Sequence, residues 1–156
     1  PNRALFRDRL QNAINRSKRL KEYLYAVMFF DVDRFKDVND TLGHPAGDEA
    51  LKQFAGLLRS SLRVTDFVAR YGGEEFLIMF PHTTLAQGRK IADRIRASVS
   101  KGEFDIGTKK IKLTISIGVA SREPGVKNTE MLLQLADKRL YEAKNSGRNR
   151  VTAAEH

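Results

Sequence analysis

The amino-acid sequence predicts an α/β (α+β) sandwich: one central, mostly antiparallel sheet with helices packed against it. Three observations carry this. Segments whose apolar residues recur at helical spacing alternate with short, continuously apolar runs. A glycine pair, Gly72 and Gly73, stands between two such runs, the pattern of a β-hairpin. The chain has 156 residues, enough for one domain with a full hydrophobic core, and no run is long enough to span a bilayer.

Each element follows in order. Leu5, Phe6, Leu10, Ala13 and Ile14 fall on one helical face, which predicts a helix over 3–20. Residues 23–31 (YLYAVMFFD) form a short apolar run ending in an acid, which reads as a buried strand. Asp33 is expected to cap a short helix beginning at Arg34. Leu51, Phe54, Ala55, Leu58 and Leu62 line one face of a helix over 48–62. The hairpin occupies 67–80, its glycines supplying the positive φ angles of a two-residue turn. Ile91, Ala92, Ile95 and Val99 align on a helix over 84–99. Residues 110–120 (KIKLTISIGVA) alternate and then turn wholly apolar, so one strand enters the core there. Met131, Leu132, Leu135, Ala136, Leu140 and Ala143 mark a last core helix. Gly147 is its expected stop, and 150–153 adds a final strand.

Composition narrows the function. There are no cysteines, which excludes disulfides, thiolate metal sites and cysteine nucleophiles and fits a reducing interior. No signal peptide is visible, so a cytoplasmic setting is expected for this stretch, with room for a membrane anchor elsewhere in a longer protein. Residue 1 is proline, so residues 1–156 read as a single domain excised from a longer chain. The balance of 28 basic to 19 acidic residues gives +9, which favours anionic partners such as nucleotides, nucleic acid or an acidic surface. The basic residues are spread along the chain without a polybasic tail. Trp is absent and most Phe residues lie in strand-like runs, so stacking platforms for single-stranded nucleic acid are poorly supported.

The chemistry gathers around acids. Glu74 and Glu75 follow the glycines at once. Adjacent carboxylates at a turn repel each other and gain nothing from packing, so a chain that keeps them there has a cation to neutralise them. Asp31 ends an apolar strand, the usual place for a functional acid in a sheet protein. If that strand pairs with the hairpin, Asp31 and Glu74 meet at one rim of the sheet. Carboxylates from two strands plus a backbone carbonyl suit Mg²⁺, which keeps phosphates as its remaining ligands. Neither GxxxxGK[ST] nor GxGxxG competes. The residues alone indicate a metal-dependent nucleotide enzyme. Asp48, taken singly, reads as a helix N-cap, and Lys144 and Arg148 as solvated surface charges. His44 lies in a turn between glycines and is assigned no chemistry.

Four blocks then carry a resemblance: DVDRFKDVNDTLGHPAGDEAL, RYGGEEF, ISIGVA and LADKRLYEAKNSGRNRV. In order and spacing they resemble the signature blocks of the GGDEF family of diguanylate cyclases, and the opening Pro1-Asn2-Arg3 is similar to the family's leading block. The resemblance implies a palm-like, nucleotide-cyclase-like sheet and the condensation of two GTP into cyclic di-GMP with release of pyrophosphate. It implies that Asp31, the Val32 carbonyl and Glu74 hold metal, Mg²⁺ or Mn²⁺, two ions per half-site. Glu75 is similar to a further acid that serves as metal ligand or as base, so Glu74 and Glu75 are the catalytic pair. Asn39 and Asp48 resemble guanine readers; a carboxylate accepts from guanine N1–H and N2–H, whereas adenine offers no such pair of donors. Phe35 and Lys36 resemble the turn that cradles the β and γ phosphates, and Lys144 and Arg148 the basic residues reaching the triphosphate. Gly72 and Gly73 leave room for nucleotide, although a conformational role alone would explain them.

The same resemblance extends to regulation. Arg63-Val64-Thr65-Asp66 is an RxxD at the family's offset from Gly72, and implies a product-binding inhibitory site for cyclic di-GMP, with Arg94 as its secondary arginine. Turnover is expected to need a homodimer of facing half-sites and to be governed by a sensory or regulatory domain outside this stretch. Neither nucleic acid nor membrane contact is expected of it. The alternative reading is a catalytically silent receptor for GTP or cyclic di-GMP; intact Asp31, Lys36, Glu74 and Glu75 argue against it. Two other rivals are a nucleic-acid binder, resting only on the charge, and another nucleotide-cyclase chemistry.

Overall fold

A computed structural model describes residues 3–20 and 24–154. The chain runs α1 (Arg3–Arg19), β1 (Tyr25–Val32), α2 (Phe35–Leu42), α3 (His44–Ser60), β2 (Phe67–Arg70), β3 (Glu75–Pro81), α4 (Leu85–Lys101), β4 (Phe104–Asp105), β5 (Lys110–Ile111), β6 (Ile115–Ser121), α5 (Thr129–Asn145) and β7 (Val151–Thr152). Five strands form the main sheet in the order β2-β3-β1-β6-β7. β1 lies at its centre, antiparallel to both β3 and β6, while β7 runs parallel to β6. The expected α+β sandwich with a mostly antiparallel sheet is therefore the fold observed. Residues 1–2, 23 and 155–156, on which parts of the leading block, the first strand and the tail were expected, lie outside the described residues. No helix among the described residues is long and apolar enough to cross a membrane.

Every residue of β1 is buried, because helices cover both faces of the sheet. Side chains alternate between the faces along a strand. Ala26, Met28, Phe30 and Val32 enter one core with Phe54 and Leu58 of α3 and Ala92 and Ile95 of α4. Tyr25, Val27 and Phe29 enter the other, with Phe6, Leu10 and Ile14 of α1 and Leu132, Ala136 and Leu140 of α5. The α5 contact is unusually close. A Cβ at Gly118 of β6 would lie 2.1 Å from the Ala136 carbonyl oxygen and 2.4 Å from the Leu140 nitrogen. Glycine there lets the helix backbone rest on the sheet. A buried ion pair, Arg139 with Glu123 at 2.8 Å, fixes the same helix to the loop after β6, and Arg139 Nη1 also donates to the Val119 carbonyl at 2.8 Å.

Helix ends carry their own signals. Thr84 and Gln87 form a capping box at α4. Asn128 accepts from the Met131 N–H at α5, and Gly147, at φ 125°, follows the end of that helix as expected.

Three expectations need correction. The helix expected from 48 begins at His44, because Gly43 (φ 90°) ends α2 and the Gly43-His44-Pro45 corner starts α3 a turn before the apolar face becomes visible. The strand expected over 110–120 is two strands. Lys110–Ile111 pairs with Phe104–Asp105 across a turn containing Gly107 (φ 97°), and Gln53 of α3 holds that ribbon by accepting from the Asp105 N–H at 2.9 Å. Asp33 is not a helix cap. Arg34, in the left-handed region at φ 54°, occupies the cap position without a side-chain bond. The Asp33 carboxylate instead accepts from the hydroxyls of Thr114 (2.7 Å) and Ser116 (2.6 Å) and from the Asn149 N–H (3.0 Å). Buried on the sheet, it gains three donors there that a solvent-facing cap would not supply.

The Gly118 contact predicts a large effect from a small change. Gly118→Ala should lower unfolding stability in urea by about 3 kcal/mol or more, since the obstructing atoms are helix backbone and cannot rotate aside.

Candidate functional site

The strands bring the acids to one rim. Asp31 is the penultimate residue of β1 and lies directly opposite Glu75 of β3, while the Val32 N–H donates to the Glu74 carbonyl at 3.3 Å. Asp31 is only 6% exposed, so its charge is compensated from within: the Lys144 ammonium, near the C-terminus of α5, pairs with its Oδ2. Burial pushes the Asp31 carboxyl up from the ordinary 3.8; Lys144 pulls it down through its hydrogen bond and charge, and Glu74 and Glu75 push it up again, leaving it at about 6. The rim thus holds a carboxylate whose ionisation depends on the cation beside it.

The turn that carries the glutamates is longer than a two-residue hairpin. Residues 71–74 lie between the strands, and neither Gly72 nor Gly73 has a positive φ, contrary to the reading of their spacing. Only Gly72 is closely packed. A Cβ on Gly72 would meet Glu75 Oε1 at 2.6 Å, whereas Gly73 faces open space. The turn is tied down by the Tyr71 N–H donating to the Glu75 carbonyl at 2.8 Å. From outside, the Arg70 guanidinium donates to the Gly72 and Gly73 carbonyls at 3.3 Å and 2.6 Å.

On the other side of Asp31, Arg34 turns the chain into α2. Phe35 is buried and Lys36 exposed, both within the first turn of this helix. Asn39 Oδ1 is buried without a hydrogen-bond partner, beside Gly47, where a Cβ would sit 1.9 Å from it. An orphaned buried acceptor is costly unless something else supplies a donor. Asp48 lies one turn inside α3, so it is not the N-cap of that helix. It is exposed and lines a cleft of about 450 Å³ with Leu51, Lys52, Arg70 and Phe76.

Lys144 reaches the acids; Arg148 sits four residues on, in a left-handed turn. Arg148 (φ 64°) and Asn149 (φ 47°) are held there by the Arg148 N–H to the Ala143 carbonyl at 3.0 Å and by the Asn149 N–H to Asp33. Arg96 of α4 also donates to Asn149 Oδ1 at 3.0 Å. The pairing of β1 with β3, together with α5, therefore brings Asp31, Glu74, Glu75 and Lys144 to one rim. These elements do not gather the carboxylates into a finished ligand cage: among the described residues, no group of three or more His, Asp or Glu side chains is close enough to hold a metal ion.

Arg63 and Asp66 lie at the far end of β3. The Arg63 guanidinium forks onto the Asp66 carboxylate (2.9 and 3.1 Å) and also donates to the Pro81 carbonyl (3.2 Å) and the Thr83 hydroxyl (3.1 Å). The Asp66 side chain is 2% exposed and that of Arg63 51%, so the guanidinium presents one open face. At about 3.4 Å per residue, the seven residues of β3 put this pair roughly 20 Å from Glu75. Arg94 is exposed on α4. Sequence reasoning missed Asp33, Arg70 and Tyr71 as supports of the site. The DxD pattern flagged Asp33, but its partners lie more than eighty residues away and no local spacing names them.

The model of the GGDEF family, described as diguanylate cyclase, GGDEF domain, matches residues 1–150. A protein named diguanylate cyclase A from Treponema denticola is 43% identical over 143 residues, covering 92% of this chain and 38% of that protein. The crystal structure of the GGDEF domain of PA1120 (YfiN or TpbB) from Pseudomonas aeruginosa matches with a TM-score of 0.93 at 38% identity, covering 100% of this chain and 97% of that one. The GGDEF domain of DgcB from Caulobacter crescentus, solved in complex with c-di-GMP, matches with a TM-score of 0.89 at 33% identity over 97% of this chain and 89% of that one. The chain spans well under half the length of the curated relatives it matches. Fold, motif order and these likenesses agree over nearly the whole sequence, and the chain belongs to the GGDEF, diguanylate cyclase family.

Proposed function

We propose that this domain condenses two molecules of GTP into cyclic di-GMP and two pyrophosphates. The observation that carries the reading is the rim itself. A buried carboxylate, Asp31, faces Glu75 across the strand pair, with Glu74 beside it and a lysine from α5 on top. The donor set fits a hard divalent cation, Mg²⁺ or Mn²⁺. Asp31, Glu74, Glu75 and the Val32 carbonyl are all oxygen donors, and Asp31 already requires a positive neighbour. When bound, such ions neutralise charge that builds up on a reacting phosphate and its leaving pyrophosphate.

The chain's own residues do the rest. The backbone turn at Phe35 and Lys36 takes the terminal phosphates, and Lys144, once Asp31 has another cation, carries its charge to the triphosphate together with Arg148. Asp48 accepts from guanine N1–H and N2–H, and the orphaned Asn39 Oδ1 accepts a further donor of the base. The 3′-hydroxyl of one GTP attacks the α-phosphate of the other. The new P–O bond forms as the α–β bridge breaks, and the hydroxyl proton passes to a carboxylate of the turn. One domain holds one GTP, so two domains must face each other, and proximity comes from dimerisation. Product binds at Arg63 and Asp66, with Arg94 as a secondary contact. The half-open guanidinium supports this, since it keeps one face for a phosphate. The sensory or regulatory partner, and a cytoplasmic setting for the catalytic part, belong to the same proposal, as does the single-domain reading of residues 1–156.

Three outcomes test it. Glu74→Ala should reduce formation of cyclic di-GMP from GTP and Mg²⁺ by about 100-fold or more, measured by chromatography, while cyclic di-GMP binding measured calorimetrically survives. Unchanged turnover would sink the assignment of the turn. Arg63→Ala should do the reverse: product binding is lost, and time courses no longer slow as cyclic di-GMP accumulates. The third concerns pH. In the absence of divalent cations, native Asp31 holds its proton up to about pH 6 whereas the unfolded chain releases it near 3.8. The stabilisation is therefore complete below about pH 4 and lost as pH rises through about 6. It amounts to at most about 3 kcal/mol. Urea unfolding of Asp31→Asn should lack this part of the pH slope. An identical slope in both proteins would contradict the account of Asp31.

A further inference from the structure

Tyr71 is the first residue of the acid-bearing turn, and it packs on the face of the sheet covered by α1 and α5. Ala69 and Leu77 are buried in that core, and Phe67 and Tyr71 pack against it. Asp31 and Glu75 share this face by the alternation of their strands. Phe29, two residues before Asp31, meets the Tyr71 ring edge-on, with centroids 5.7 Å apart at 74°. On the helix side, the Arg3 guanidinium lies over the ring at 4.0 Å from its centroid, and Arg7 Nη1 donates to the phenol oxygen at 3.3 Å. The other terminal nitrogen of Arg7 pairs with Glu130, in the first turn of α5.

Arg3 and Arg7 are four residues apart on one helix face, a spacing at which like charges repel. They are held together by what lies between and beside them: the π face and oxygen of Tyr71 for both, and the Glu130 carboxylate for Arg7. Burial pushes the Tyr71 phenol up, but the hydrogen bonds and charges of the two arginines outweigh it and leave it below its ordinary value. Backbone and side chain of Tyr71 thus act at opposite ends of one lever. Its N–H closes the turn onto the Glu75 carbonyl, and its ring is gripped by α1. The turn has need of such a hold, because its two central residues are glycines with little conformational preference of their own.

We propose that Tyr71 is a positioning residue for the reaction: clamped by Arg3 and Arg7 of α1, it sets the placement of Glu74 and Glu75 against Asp31. The proposal rests on the cyclase reading given above. The clamp touches no substrate atom; it acts through the turn. Misplacement of catalytic groups by about 1 Å costs up to about 100-fold in rate, and a clamp at one end of a four-residue turn is built to prevent a shift of that size.

The test compares Tyr71→Phe, Tyr71→Leu and Arg7→Gln with the parent chain by two readouts. Steady-state kinetics with GTP and Mg²⁺ should give a kcat about tenfold lower in Tyr71→Leu and Arg7→Gln. KM for GTP and cyclic di-GMP affinity should stay within about twofold. Tyr71→Phe keeps the ring beneath Arg3 but loses the bond to Arg7, and should show a fall in kcat between that of the parent and that of Tyr71→Leu. Hydrogen exchange of a peptide covering residues 71–76 should quicken in the same order of variants, independent of turnover. If Tyr71→Leu unfolds, Arg7→Gln carries the same comparison. Unchanged exchange and kcat in Arg7→Gln would overturn the clamp, as would a fall in cyclic di-GMP affinity matching that in kcat, which signals general loosening. If the parent chain makes no cyclic di-GMP while exchange still responds, the cyclase reading fails and the clamp stands as a structural device only.

Discussion

A carboxylate buried at the end of a central strand must find a positive charge, and that requirement organises this domain. Asp31 sits where β1 meets β3 and β6 in a sheet covered by helices on both faces, and is only 6% exposed. Its partner, Lys144, comes from the opposite end of the sequence. It arrives because α5 lies directly on β6, a fit allowed by the missing side chain at Gly118 and secured by the Arg139–Glu123 pair. A charge buried without a partner costs several kcal/mol, and one paired under good geometry roughly breaks even. The Lys144 ammonium supplies the positive charge that this carboxylate requires.

The two cores behave as separate supports for that rim. One, under α3 and α4, carries the α2–α3 corner with Phe35, Asn39 and Asp48. The other, under α1 and α5, carries Tyr71 and Lys144. β1 belongs to both by alternation, so its end is the one place where residues from each layer converge. Asp33 extends the convergence. Its carboxylate ties the end of β1 to Thr114 and Ser116 on one side and to the left-handed pair Arg148–Asn149 on the other.

Much of this was legible beforehand, for physical reasons that differ by element. Helical spacing is a local property, and α1, α4 and α5 show it plainly; so does the apolar run of β1, which must be continuous if both faces are covered. The meeting of Asp31 with the hairpin acids followed from one pairing, and the register puts Asp31 opposite Glu75. What escaped was whatever depended on distant partners or on fine backbone geometry. Asp33 looked like a cap because caps are local and its true donors are not. Gly72 and Gly73 suggested positive φ, yet neither adopts it, and only Gly72 lies close against a neighbour, the Glu75 carboxylate. The break between β5 and β6 was hidden because Lys112, Leu113 and Thr114 continue the alternation of a strand while the backbone leaves the sheet to serve Asp33.

The placement of the Arg63–Asp66 pair has a mechanical corollary. It occupies one end of β3 and the acids the other, and between them the strand is bonded on both edges, to β2 and to β1. A strand so enclosed is a stiff rod: sliding it by one residue would turn every side chain to the wrong face. A ligand gripping the guanidinium therefore has almost no leverage on the acids within its own molecule. If product binds there as proposed, what it can move is the molecule as a whole, and its effect would fall on where the domain is placed rather than on the shape of the acid-bearing rim.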